Sequence, residues 1–176
     1  MLISLYENNS FAKYGNNVLK IKNLTDTQFF LRANYSNVNN LKGHKIYAKV
    51  STFRETTYIN PIFYLEFTQN ENYWYNDDTN PYFQYVTSYD YNNYGGYQNE
   101  KYIWRELSLY SISAEYDYLK IMLAQANSEN TINGIMYYDG LIVIDLTTTF
   151  GSGNEPDNDW CDKHINYFDG TTTIYK

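Results

Sequence analysis

The sequence is poor in the residues that build covalent, metal-binding and catalytic frameworks. Its 176 residues include one cysteine, Cys161, which excludes an internal disulfide framework and a cysteine-rich metal site. The two histidines, His44 and His164, have no sequence neighbours that complete a nucleophile, a base and an orienting group. We therefore expect structural or surface roles for both histidines, and a fold that is held together by its core alone.

Basic residues and long apolar runs are also scarce. Thirteen Lys and Arg stand against twenty Asp and Glu, for a formal net charge of −7 and a pI near 4.7. Because nucleic-acid affinity needs clustered cations, we expect no nucleic-acid partner. The longest apolar runs, such as 141–146, are too short to span a bilayer, and the first residues lack the basic start and apolar core of a secretory signal. We expect no membrane insertion and no signal peptide.

Tyrosine is abundant, and alternating hydrophobicity is widespread. The 22 Tyr raise the aromatic share to 19%, which favours strands, although an AT-rich genome would account for part of this excess. Alternation predicts strands at 18–24, 28–35, 44–53, 62–68, 83–89, 102–110, 117–124, 140–146 and 172–175. In the third of these, Ile46 and Val50 share one face while Lys49 and Ser51 share the other, which is typical of a strand with one wet face.

Many strands with polar turns between them, and no long helical period, predict an all-β fold. We expect an antiparallel β-sandwich of the jelly-roll type, forming a single domain over residues 1–176. One short helix is expected near the C-terminus. It would begin near Pro156, carry Asp157 and Asp159 in its first turn and include residues 160–165.

Two stretches resemble known families. The run GLIVIDLTTTFGSGNEP at 140–156, continuing through Trp160, Cys161 and Asp162 to 167–171, resembles a segment that recurs in tail and baseplate proteins of phages of Gram-positive bacteria. The stretch LKGHKIYAKV at 41–50 resembles the sequence motif at the start of an early strand in galactose-binding-like jelly rolls, which include many carbohydrate-binding modules. The resemblances imply a sandwich that presents a ligand surface. They place it in a virion tail or baseplate, or a prophage-encoded particle, that acts at the bacterial cell surface.

Two predicted loops combine aromatic rings with amide and carboxylate groups. Rings stack on the C–H patches of sugars while planar polar groups bond their hydroxyls, so these loops are candidates for carbohydrate binding. The alternative is that the same aromatics cover the ends of the sandwich, or only reflect the abundance of Tyr. The candidate ligand-binding residues are Trp74, Tyr75, Asp77, Asp78, Tyr91, Asn93, Tyr94 and Tyr97.

No cofactor is required by this sequence, and the candidates for a metal site are carboxylates. Calcium prefers oxygen ligands, which a group near the C-terminus offers, but helix capping accounts for these residues more simply and their spacing fails the EF-hand pattern. A structural calcium ion elsewhere would have Asp145 as a ligand. The residues of the C-terminal group are Glu155, Asp157, Asn158, Asp159 and Asp162.

These observations favour a non-catalytic carbohydrate-binding module of a phage tail or baseplate protein. Its partners would be a host cell-wall or surface polysaccharide and other tail or baseplate proteins, and the resemblance is compatible with a homotrimer. Two alternatives remain open at this point. The first is a structural tail module whose aromatic face contacts protein. The second is a glycan depolymerase or cell-wall hydrolase, because paired carboxylates meet only in three dimensions.

Overall fold

The computed structural model describes residues 2–7, 11–24, 30–35, 41–55, 60–68, 83–89, 103–113, 118–126 and 134–167. In chain order the elements are β1 (Leu2–Glu7), β2 (Asn17–Lys22), β3 (Phe30–Tyr35), β4 (Lys45–Arg54), β5 (Asn60–Thr68), β6 (Phe83–Tyr89), β7 (Arg105–Ser113), β8 (Tyr118–Ala126), β9 (Ile135–Asp145), α1 (Leu146–Phe150) and α2 (Asn158–His164). No helix within these ranges has the length and apolar character needed to cross a membrane.

The strands form two antiparallel sheets in the order of a jelly roll. The five-stranded sheet has the order β1-β2-β9-β4-β7, and the four-stranded sheet has the order β3-β8-β5-β6. Sequence neighbours pair only in β1–β2 and β5–β6, and at every other step the chain passes from one sheet to the other. This interleaving of β2 to β9 is the double Greek key of a jelly roll, with β1 added at one edge. The predicted all-β antiparallel sandwich is confirmed.

The core lies between the two sheets and is built from residues that alternate along each strand. From the five-stranded sheet it takes Ile46, Ala48 and Val50 of β4, and from the four-stranded sheet it takes Phe63, Leu65 and Phe67 of β5. Tyr138 of β9 crosses this layer, and its hydroxyl donates to the carbonyl oxygen of Ala124 at 2.6 Å. Burial raises the pKa of Tyr138, so the hydroxyl remains a donor that links the two sheets.

Strand β9 contains a bulge that changes which residues face the core. Its register with β4 moves from Ile142 opposite Lys49 to Asp139 opposite Ser51, which leaves one additional residue in β9. Before the bulge Met136 belongs to the core between the sheets, whereas after it Ile142 belongs to a cluster on the outer face. Gly140, at φ +61°, occupies the left-handed region that this bulge requires.

The polar faces of two strands, one in each sheet, are buried although their residue types suggest exposure to solvent. Lys49 and Ser51 of β4 are 5% and 2% exposed, although alternation puts them opposite the core side chains. On the other sheet, Lys120 of β8 is 1% exposed and lies in register with Glu66 of β5. Alternation therefore identified the two faces of each strand correctly, but not their accessibility, because accessibility depends on segments distant in sequence.

The first strand and the C-terminal part of the chain differ from the sequence prediction in four details. Strand β1 was not expected, and β9 begins at Ile135 rather than at Gly140. The predicted C-terminal helix is present as α2, but its N-cap is Asp157, so Pro156 precedes the cap instead of occupying the first helical position. A second short helix, α1, follows β9 directly, because the Asp145 side chain accepts a hydrogen bond from the Thr148 amide and caps it.

Candidate functional site

The outer face of the five-stranded sheet carries an aromatic surface that is partly exposed. It contains three half-buried rings: Tyr6 from β1, Phe11 from the following loop and Trp104 just before β7. The ring centroids of Tyr6 and Phe11 are 6.0 Å apart, and those of Phe11 and Trp104 are 5.6 Å apart. We call these three rings the aromatic row. They rest on the buried rings of Phe53 and Tyr137, each of which lies within 6 Å of Phe11. Since those rings belong to central strands, the row has a rigid support.

At the Tyr6 end of the row lie one cation and one carboxylate. The ammonium group of Lys20 lies 5.0 Å from the Tyr6 centroid and 5.5 Å from that of Tyr137, in cation–π geometry. The Tyr137 hydroxyl donates to Glu55 Oε1 at 2.5 Å. Burial and this hydrogen bond both raise the pKa of Tyr137, so the phenol keeps its proton and fixes the carboxylate.

Beyond Trp104, the next outward residue of β7 is Glu106, whose carboxylate forms ion pairs with two lysines. Lys13 Nζ lies 2.7 Å from Glu106 Oε1, and Lys49 Nζ lies 3.4 Å from Oε2. We call these three residues the Glu106 cluster. Burial works against ionisation of Glu106, but the hydrogen bond from Lys13 and the charge of Lys49 hold its pKa below the usual range. The carboxylate is therefore ionised and is shared between two ammonium groups.

The loop that carries Phe11 and Lys13 is fastened to the bulge in β9. The Tyr14 amide donates to Asp139 Oδ2 at 2.9 Å, and the Tyr14 hydroxyl donates to Glu106 Oε1 at 3.3 Å. The Tyr14 ring stacks on Tyr167 at 4.6 Å and passes directly over Gly140. Because these contacts fix Tyr14 at both ends, they also fix its neighbours in the loop, and they hold Phe11 in the aromatic row.

The C-terminal segment, residues 146–167, covers the other half of the same outer face. Asp145 accepts hydrogen bonds from the amide and hydroxyl of Thr148 at 2.9 and 2.6 Å, and its Oδ2 lies 2.8 Å from His44 Nδ1. Burial opposes ionisation of Asp145, but the Thr148 hydrogen bonds and His44 keep its pKa below the usual range. The Asp145 carboxylate thus caps α1 and connects this helix to His44, the residue before β4.

Two further carboxylates of this segment, Glu155 and Asp162, are also hydrogen-bonded within the fold. Glu155 accepts from the Thr147 hydroxyl at 2.7 Å and from the Gly153 amide at 2.9 Å. Asp162 Oδ1 accepts from the hydroxyl of Tyr47, whose pKa is raised by burial and by this hydrogen bond. Cys161 is buried beside Tyr47. The segment therefore folds against β4 through its own side chains.

Comparisons with known proteins show that nine solved chains resemble this one, of which two are described below. No family model and no curated protein matches this sequence. The structure of TmCBM61 in complex with β-1,4-galactotriose matches with a TM-score of 0.49 and 14% identity over 81% of both chains. A family 16 carbohydrate-binding module matches with a TM-score of 0.47 and 10% identity, over 81% of this chain and 84% of that one. Both solved proteins are carbohydrate-binding modules.

The carbohydrate site predicted from the sequence lies outside the described residues. This holds for Trp74, Tyr75, Asp77, Asp78, Tyr91, Asn93, Tyr94 and Tyr97, which stay a prediction. Asp145 as a metal ligand also stays a prediction, and within the described ranges no group of three or more His, Cys, Asp or Glu side chains could hold a metal ion.

Only one ring of the aromatic row could have been placed from the sequence. The alternation of β7 places Trp104 on the outer face, and this is the one signal that the sequence offered. Tyr6 belongs to the strand that was not predicted, and Phe11 belongs to a loop whose course no periodic pattern reveals. The row comes together only because β1, the loop after it and β7 meet on one face.

Proposed function

We propose that this protein is a non-catalytic carbohydrate-binding module of a phage tail or baseplate, and that it recognises a glycan on the surface of the host cell. The observation that carries the proposal is the aromatic row, with ionised polar groups at both ends. The support for the phage context is the resemblance of residues 140–156 to segments of tail and baseplate proteins.

The aromatic row has the chemistry that sugars require. Half-exposed rings offer apolar faces to the C–H patches of a pyranose, and Glu55 and Glu106 offer carboxylate oxygens to its hydroxyls. The rings are preorganised, because Phe53 and Tyr137 support them from below. Little conformational entropy is therefore lost on binding, and many copies on one particle would add their affinities through avidity.

The proposal is tested by measuring the affinity of the whole chain for extracted cell-wall polysaccharides with and without Trp104. Trp104→Ala removes the exposed ring at one end of the row, and we expect it to weaken binding about tenfold, equivalent to about 1.4 kcal/mol. Trp104→Phe retains an aromatic face and should bind more tightly than the alanine variant. The matched control is Trp160→Ala, because Trp160 packs against Phe150 and His164 and takes no part in the row.

The variants Trp74→Ala and Tyr94→Ala test the loops predicted from the sequence in the same assay. If these abolish binding while Trp104→Ala has no effect, the glycan site lies on the loops and the aromatic row is not the site. If no cell-wall extract binds the intact chain, the carbohydrate function itself is refuted. Release of new reducing ends from the bound polymer would instead identify a depolymerase or hydrolase.

One observation favours the alternative of a structural tail module. Ile103, the sequence neighbour of Trp104, is 51% exposed, so an exposed aliphatic side chain stands next to the row in the chain. Tryptophan beside exposed aliphatic groups is typical of protein interfaces. If the row contacts other tail proteins or forms a homotrimer, light scattering will show an assembly that Trp104→Ala disperses. A monomer at all concentrations would argue against the homotrimer.

A further inference from the structure

The face that carries the aromatic row is cationic although the chain is acidic. Four lysines and three carboxylates of the described residues lie around the row, an excess of one positive charge, whereas the whole chain has a formal charge of −7. The alternation of β2 places Lys22 on the same side as Lys20. The residues are Lys13, Lys20, Lys22, Lys49, Glu55, Glu106 and Asp139.

Positive charge is in excess at both ends of the row. At the Tyr6 end, Lys20 and Lys22 stand against one carboxylate, Glu55, and no carboxylate of the described residues forms an ion pair with Lys20. At the other end, the Glu106 cluster contains two ammonium groups and one carboxylate. A ligand that lies along the row would therefore meet the ammonium group of Lys20 at one end and that of Lys13 at the other, whereas Lys49, at 5% exposed, contributes its charge without being exposed to the ligand.

We infer that the aromatic row binds an anionic glycan, whose sugar rings stack on Tyr6, Phe11 and Trp104 while its acidic groups pair with Lys20 at one end and with Lys13 of the Glu106 cluster at the other. This inference rests on the proposed function and specifies its ligand class. The net charge of the chain favours a neutral polysaccharide, but an ion pair responds mainly to charges within about one Debye length, roughly 10 Å. The lysines around the row thus matter more than distant carboxylates.

Carboxylate and phosphodiester groups would both satisfy these lysines, and separate probes distinguish them. The intact chain is titrated with a polyuronate, with purified wall teichoic acid and with a neutral galactan, each at low and at high salt. We expect at least one anionic polymer to bind more tightly than the galactan, and its affinity to fall as salt rises, because salt screens exposed ion pairs. Whichever anionic polymer binds more tightly identifies the acidic group.

Two substitutions with opposite expected effects test the placement of the ligand. Lys20→Gln should weaken binding of the anionic polymer about two- to fivefold, the range of an exposed ion pair. Glu106→Gln should strengthen it, because Lys13 and Lys49 lose their shared counter-charge. Lys163→Gln, on the exposed side of α2, is the matched control and should change nothing. Thermal unfolding of each variant verifies that the loop anchored by Glu106 remains folded.

The outcomes separate this inference from the function on which it rests. Equal affinity for neutral and anionic polymers, independent of salt, would overturn the anionic ligand and leave a carbohydrate-binding module. The same loss in Lys20→Gln and Lys163→Gln would overturn the placement at the row. Absence of binding to every polymer would refute the proposed function as well.

Discussion

Gly140 provides the strictest test of how the site is held together. A Cβ atom added at this position would lie 2.5 Å from Tyr14 Cδ2 and 2.6 Å from Tyr14 Cε2, closer than real Cβ contacts. Tyr14 cannot move away without cost, because it stacks on Tyr167 and its amide and hydroxyl are both hydrogen-bonded. Gly140→Ala should therefore damage the attachment of the whole loop.

The size of the effect follows from two independent terms. An alanine at φ +61° costs about 1–2 kcal/mol for its left-handed backbone. Forcing the Tyr14 ring aside is an overpacking cost of about 1–3 kcal/mol. The matched control is Gly43→Ala, because Gly43 has φ +77° and no atom within 4 Å of its added Cβ. The control carries only the backbone cost. Gly140→Ala should therefore lower the free energy of unfolding further than Gly43→Ala does, by the overpacking cost of about 1–3 kcal/mol.

Urea denaturation of both variants measures the two free energies of unfolding on one scale. The difference between them should vanish when Tyr14→Ala is the background, since the clashing ring is then gone. Equal costs for Gly140→Ala and Gly43→Ala would refute the reasoning, as would a difference that persists without the Tyr14 ring. In the first case the loop would not lie across the bulge.

Three further predictions concern the C-terminal segment. Asp145→Ala should lower the free energy of unfolding by about 1 kcal/mol, because α1 loses its N-cap. The pKa of Asp145 is lowered in the folded state, so its ionisation stabilises the fold. This stabilisation is fully present above the ordinary pKa of about 3.9 and is lost as the pH falls through the lowered pKa. The wild type should therefore lose more stability in acid than the variant does. Burial raises the pKa of Cys161 to about 11, so the native thiol should resist a thiol reagent at mildly alkaline pH and react after denaturation. Tyr110→Phe removes a hydrogen bond of 2.5 Å to the Pro156 carbonyl and should cost about 1 kcal/mol in urea denaturation; no change would mean that the segment is held by apolar packing alone.

The sequence predicted much of the fold because side-chain alternation is a local property. The limits of β6 match the predicted range, and the shared face of Ile46 and Val50 is the core face. The C-terminal helix was also predictable, since Asp157 sits next to the unpaired amide groups that it caps.

The aromatic row and its charges could not be predicted, because no local pattern connects their parts. Tyr6, Phe11 and Trp104 come from three separate segments, and Lys49 meets Glu106 only across β4 and β7. The bulge at Gly140 is equally invisible to alternation, yet it reverses the faces of β9 and makes room for Tyr14. Composition and alternation thus determined the strands and the class of fold. Only the tertiary structure decided which faces are covered, which aromatic rings meet and where positive charge collects, because those properties arise from contacts between residues far apart in sequence.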